Sequence, residues 1–266
     1  MQCHKMFYEK YLQATKQKGS FINLNLDPAL PNQRSSNTIP ESYANKEDRQ
    51  ALLDFSLYII EQVSDYCCCV KPNTQYYLGH TGILQTITKK IHEHGMISIL
   101  DHKLTDIGST NGSALYWIQK MGFDAFTFSP FAGNILRTVQ KAHEKDMGVI
   151  VLTLMSNPEA EQMMINTTVN GKPYFLHTAQ TIKKIDADGC VVGLTCFVKP
   201  DYVKKIQQTV GDKAVFLLQG IGPQGGKANN IRHVKNPLIS LGRAVLYADN
   251  PKKTIQKYHE IFKKYT

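Results

Sequence analysis

Residues 96–121 read MISILDHKLTDIGSTNGSALYWIQKM. The first five are apolar except for Ser98, and the run ends abruptly on Asp101 and Lys103. A short polar loop follows, and residues 113–121 then bring apolar side chains back at helical spacing. A buried strand, a charged strand end and a covering helix is one βα unit. The same pattern recurs along the chain. Short β-branched or aromatic-rich runs lie at 21–27, 67–71, 96–101, 125–129, 148–155, 190–195, 214–219 and 237–241, and stretches with helical spacing lie at 48–65, 81–94, 113–121, 135–145, 201–209, 224–235 and 251–264. Strands that are apolar throughout, instead of alternating, belong to a parallel sheet covered by helices. Eight of them in roughly 250 residues is the size of a (β/α)8 TIM barrel. The fold class expected is therefore α/β, with residues 1–266 forming a single barrel domain. An open doubly wound sheet is the alternative, but the first strand leads into Asp27-Pro28 and a polar loop, with no G-x-G-x-x-G to hold a dinucleotide. Two long insertions, 28–46 and 157–174, follow strand ends, where barrel enzymes build active sites and lids.

Composition supports a globular chain. Of 266 residues 42% are hydrophobic and 20% charged, so collagen-like and disordered classes are excluded. No apolar run approaches a membrane span and the first residues are lysine-rich, which predicts a soluble, cytoplasmic protein with no membrane partner. The net charge of +9 suits phosphorylated substrates as well as polyanions, and it is dispersed. Its densest stretch, in 252–264, reads as a helix with Ile255, Tyr258, Phe262 and Tyr265 on one face. Without a clustered basic face or interleaved aromatics, nucleic acid is not expected as a partner. Six cysteines, three consecutive at Cys67, Cys68 and Cys69, form no C-x-x-C pair and predict reduced, buried thiols. The triplets starting at Asn111 and Asn166 would be glycosylation acceptors only after export, for which the sequence gives no sign. His80, His92, His94, His177 and His233 match no ligand spacing, and Trp117 reads as a packing residue on its helix.

The informative residues stand where the strands end. Asp27, Lys71, Asp101, Lys103, Ser156, Gln224 and Arg243 are spread over more than two hundred positions, and a barrel gathers such ends at one mouth. Asp101 and Lys103, two apart, share a strand face, with Asp106 just beyond. An ammonium between carboxylates is held protonated and becomes a positioned proton donor. The glycines of 220–226, with Gly242-Arg243 after the next strand, predict a phosphate site in which backbone N–H groups and a bidentate arginine meet the anion. No metal-ligand or cofactor motif appears, so neither a metal nor a cofactor is expected.

These motifs carry a resemblance. Asp101, Lys103, Asp106, Ile107 and Thr110 fill D-x-K-x-x-D-I-x-x-T. Leu26-Asp27-Pro28, Val70-Lys71-Pro72-Asn73, Ser156-Asn157-Pro158, the glycine turn and Gly242-Arg243 accompany it in order. In all of this the chain resembles the orotidine 5′-phosphate decarboxylase family, essentially end to end. The resemblance implies a carboxy-lyase that converts orotidine 5′-phosphate to uridine 5′-phosphate and CO2 in pyrimidine (UMP) biosynthesis, cofactor-free and metal-independent. It implies a catalytic network of Lys71, Asp101, Lys103 and Asp106, with Lys103 as proton donor to C6 of the pyrimidine. Asp27 and Thr110 would hold the ribose and Ser156 the ring, while Gln224, Gly242 and Arg243 would hold the phosphate. It further implies a homodimer in which Asp106 and Thr110 reach the partner's site, and it leaves room for fusion to an orotate phosphoribosyltransferase outside these residues. Met155, where relatives often carry Thr, and Gln219, where many carry Pro, depart from the pattern. A metal-dependent sugar-phosphate decarboxylase or aldolase is the rival enzyme. It would need further carboxylates as ligands, which Asn73, Ser156 and Gln224 do not supply. A non-catalytic nucleotide- or RNA-binding protein is the rival from another class.

Overall fold

The computed structural model describes residues 6–195, 197–221 and 228–265. Helix α1 (Met6–Lys18) precedes β1 (Ile22–Leu26), and α2 (Glu41–Ala44) and α3 (Asp48–Val63) lead to β2 (Cys69–Pro72). Then come α4 (Leu84–Glu93), β3 (Ile97–Leu104), α5 (Gly108–Lys120), β4 (Ala125–Phe128), α6 (Ile135–His143) and β5 (Gly148–Leu154). A π-helical turn (Glu161–Asn166) and an antiparallel hairpin of β6 (Thr168–Val169) and β7 (Lys172–Pro173) interrupt the pattern before α7 (Tyr174–Ile185). The chain continues with β8 (Gly189–Gly193), α8 (Pro200–Val210), β9 (Val215–Gln219), β10 (Pro237–Leu241), α9 (Arg243–Leu246) and α10 (Pro251–Phe262). Eight strands form one closed sheet in the order β1-β10-β9-β8-β5-β4-β3-β2, so the fold is a (β/α)8 TIM barrel. Within this closed sheet the recorded pairings are parallel, as in Asn25 with Lys71 and Leu26 with Pro72.

All eight expected strands are present, within a few residues at their ends. The expectation fails for some connecting segments. Residues 6–18 form a helix although they read as polar, because Phe7, Tyr11 and Ala14 supply a buried stripe between lysines. In residues 224–235 a helix was expected, but 222–227 lie outside the described residues and Ala228–His233 is a 3-10 helix. Consecutive asparagines at 229 and 230 are poor helix formers.

Residue contacts gather the chain into two compact units. The first, residues 11–102, 118–124 and 241–266, holds β1, β2, most of β3, and helices α3, α4 and α10. Its core includes Leu24, Leu26, Phe55, Ile59, Val70 and Ile87. The second, residues 1–10, 103–117 and 125–240, holds β4, β5, β8, β9 and helices α6 to α8. Its core includes Phe126, Val151, Phe175, Val191 and Leu217.

Each unit contains the same tie at a strand start. In the first, Asp124 Oδ2 accepts from the Ser98 amide at 2.8 Å and lies 2.9 Å from His92 Nε2. In the second, Asp188 Oδ2 accepts from the Val149 amide at 2.9 Å and lies 2.8 Å from His143 Nε2. These buried carboxylates satisfy amides at the N-terminal ends of the strands, where barrel residues serve stability.

Candidate active site

In the first unit Lys71 lies in β2 and Asp101 in β3, and the two form a buried ion pair between Lys71 Nζ and Asp101 Oδ2. Their side chains are 3% and 11% exposed, so both charges are withdrawn from water and each depends on the other. The neighbouring loop is braced twice. Asn73 accepts the Gln75 amide at 3.2 Å, and Thr74 Oγ1 lies 3.1 Å from His102 Nδ1. Asp27 follows β1. Gly242 follows β10 and leads into the exposed Arg243 at the start of α9. A methyl group on Gly242 would lie 3.5 Å from Asn25 Cβ.

In the second unit Lys103 has φ = 52°, a left-handed conformation that is rare for a non-glycine residue and unexpected within a strand. The Lys103 amide donates to Thr127 Oγ1 at 2.9 Å. Strain of this kind persists only where its surroundings hold it, and it collects at functional positions. The positive φ interrupts regular strand geometry at Lys103, the position for which the sequence predicts a face shared with Asp101. Asp106 and Thr110 are exposed, and both lie beside a buried asparagine. Asn111 Oδ1 accepts the Asp106 amide at 3.1 Å, while its Nδ2 donates to the Asp106 carbonyl at 2.6 Å and to Thr138 Oγ1 at 3.0 Å. With all three bonds made inside the protein, Asn111 is no surface glycosylation acceptor.

Ser156 stands just past β5, where a register shift between Leu152 and Leu154 kinks the ladder. Gly193 permits its placement. A methyl group there would come within 2.7 Å of Ser156 Cα and 2.8 Å of the Met155 carbonyl. The insertion after β5 touches the same spot, the Met155 amide lying 3.3 Å from Met164 Sδ. Gln224 lies outside the described residues. Among the described residues, no group of three or more His, Cys, Asp or Glu side chains is placed to hold a metal ion. No described helix is long and apolar enough to cross a membrane.

Sequence reading missed Asn111, Gly193 and Tyr247, which act on main chain and leave no charge pattern to find. It also misjudged Trp117, which is 60% exposed instead of packed. Ile107, Tyr116, Phe131 and Leu136 of the second unit are exposed as well, and the Trp117 ring meets that of Tyr116 edge-on. Cys67, Cys68, Cys69 and Cys190 are buried free thiols, as expected, and burial raises their pKa values.

A model of the orotidine 5′-phosphate decarboxylase / HUMPS family matches residues 48–258. Similar curated proteins named orotidine 5′-phosphate decarboxylase come from Herpetosiphon aurantiacus, 32% identical over 91% of this chain and 90% of that protein, and from Bordetella petrii, 30% identical over 91% and 90%. Among solved structures, an orotidine 5′-monophosphate decarboxylase from Plasmodium berghei superposes with a TM-score of 0.79 at 20% identity, covering 97% of this chain and 98% of that one.

Proposed function

Because the chain belongs to the orotidine 5′-phosphate decarboxylase / HUMPS family, we propose that it decarboxylates orotidine 5′-phosphate to uridine 5′-phosphate in pyrimidine biosynthesis, without metal or cofactor. The observation that carries this reading is the buried Lys71–Asp101 pair on neighbouring strands, followed two residues later by Lys103 in a constrained backbone. Breaking the bond from C6 to the carboxylate leaves its electron pair on C6, where no attached group delocalises it. Stabilisation must be electrostatic, from charges fixed before the reaction. Lys103 supplies positive charge at C6 and then its proton, and solvent reprotonates the amine. Asp101, held by Lys71, and Asp106, held through Asn111, are the carboxylates of the proposed network. Asp27 and Thr110 hold the ribose, Ser156 the pyrimidine, and Gln224, Gly242 and Arg243 the phosphate.

We assign the whole of 1–266 to one barrel domain acting in the cytoplasm as a homodimer, Asp106 and Thr110 serving the partner's site. The exposure of the apolar side chains Ile107, Tyr116, Trp117, Phe131 and Leu136 supports the dimer, since Ile107 adjoins Asp106 and association would cover such side chains.

The test is the ultraviolet absorbance change of orotidine 5′-phosphate mixed with the protein in EDTA. Conversion that Lys103→Ala lowers at least about a thousand-fold, with binding of uridine 5′-phosphate retained, is the expected result. Turnover retained by Lys103→Ala removes the proton-donor role. No conversion by the folded wild type refutes the substrate, and sugar phosphates with Mg²⁺ are then tested.

A further inference from the structure

β1 ends at Leu26, and the next three residues are Asp27, Pro28 and Ala29. Pro28 has no N–H, so this turn has fewer donors with which to fasten itself. One side chain makes up the deficit. The Tyr247 hydroxyl donates to the Asp27 carbonyl at 2.7 Å and accepts from the Ala29 amide at 2.9 Å. A hydroxyl bonded in both directions has a fixed rotor, and here both bonds fall on the main chain that flanks Pro28. The ring is fixed as well, stacked on Phe55 of α3 with centroids 6.1 Å apart and planes 15° apart. Tyr247 is in turn bound to the start of α9. Its amide donates to the Arg243 carbonyl at 3.2 Å, and the Leu246 amide donates to the Gly242 carbonyl at 3.0 Å. Burial holds the phenol above its ordinary pKa, which keeps the proton it donates.

We infer that Tyr247 is a positioning residue for the proposed reaction, fixing the Asp27 turn to the segment that carries Arg243 so that the ribose and phosphate ligands keep one spacing. The inference rests on the function proposed above. Tyr247 need not touch substrate, since it acts through the backbone of Asp27. Binding energy from the phosphate is useful to a remote reaction centre only if the groups between them are rigid. A hydroxyl that joins two ligand-bearing segments 220 positions apart supplies that rigidity.

The experiment is a double-mutant cycle of Tyr247→Phe and Asp27→Ala, with KM and kcat for orotidine 5′-phosphate measured beside thermal unfolding. Tyr247→Phe keeps the stacked ring and removes both hydrogen bonds. It is expected to raise KM about ten-fold with a smaller change in kcat, in a protein that still melts in one transition. With Asp27 already replaced by Ala, the same substitution should change KM less than roughly two-fold, because nothing remains to be positioned. A purely structural tyrosine gives costs that multiply in the double variant. Multiplied costs, or an unchanged KM in Tyr247→Phe, overturn this inference alone. Absence of turnover by the wild-type protein overturns the proposed function and this inference with it.

Discussion

Asn111 shows how much one buried amide can hold. It spends its oxygen on the Asp106 amide and its nitrogen on the Asp106 carbonyl and Thr138, so the residue that bears the proposed catalytic carboxylate is clamped from both sides of its peptide planes. Asn111→Ala removes the partner of both the Asp106 amide and the Asp106 carbonyl. It is expected to cost about 2 kcal/mol in urea unfolding and to lower kcat/KM for orotidine 5′-phosphate as Asp106 loses its place. Asn111→Asp replaces the two donors with acceptors and should be no better. A variant that unfolds and turns over like wild type would remove the clamp from the account. Nothing in the sequence pointed to this role. In the sequence Asn111 stands out only as the start of a glycosylation-type triplet, whereas Asp101, Lys103 and Asp106 announce themselves by charge directly after an apolar run.

At the scale of elements, close approach between β8 and the segment after β5 depends on a missing methyl group. Gly193→Ala would place a carbon within 2.8 Å of Met155 and Ser156 main-chain atoms, closer than real contacts allow, and backbone has little room to yield. The expected cost is roughly 1–3 kcal/mol, with loss of turnover as Ser156 moves. Gly82→Ala, which meets nothing within 4 Å at an ordinary φ, is the control and should fall within about 0.5 kcal/mol of wild type. Calorimetry of the pair checks both. The strands themselves were legible because a parallel sheet buried on both faces writes its elements as unbroken apolar runs. The hairpin β6–β7 was not, since its two-residue strands are too short for any period to register. Helix α1 was hidden for a different reason: its few buried residues, Phe7, Tyr11 and Ala14, are dispersed among lysines and other polar side chains.

For the molecule as a whole, sequence foretold the closed barrel, whose strands write themselves as apolar runs, but it could not weigh surface against core. Trp117 carries the same hydrophobic signal whether it faces its own barrel or a second copy. If the exposed surface of Trp117, Phe131 and Leu136 pairs two chains, Trp117→Glu should sediment as a monomer and lose turnover while retaining its helical circular dichroism. A Trp117→Glu protein that remains dimeric places the interface elsewhere. A dimer of wild-type mass that dissociates into fully active monomers would withdraw Asp106 and Thr110 from the partner's site.

The bond from Tyr247 to Asp27 also imposes an order in time. The chain is made from residue 1 onward, so Asp27 and its turn emerge early, while the hydroxyl that fastens them and the arginine beside it come 216 or more positions later. Contacts this distant in sequence close late in folding. A nascent chain halted before Arg243 holds the Asp27 turn and the strands of the closed sheet but not the tyrosine that fastens that turn. The backbone beside Pro28 thus waits, through synthesis of almost the whole chain, for a partner that arrives only just behind the short helix α9.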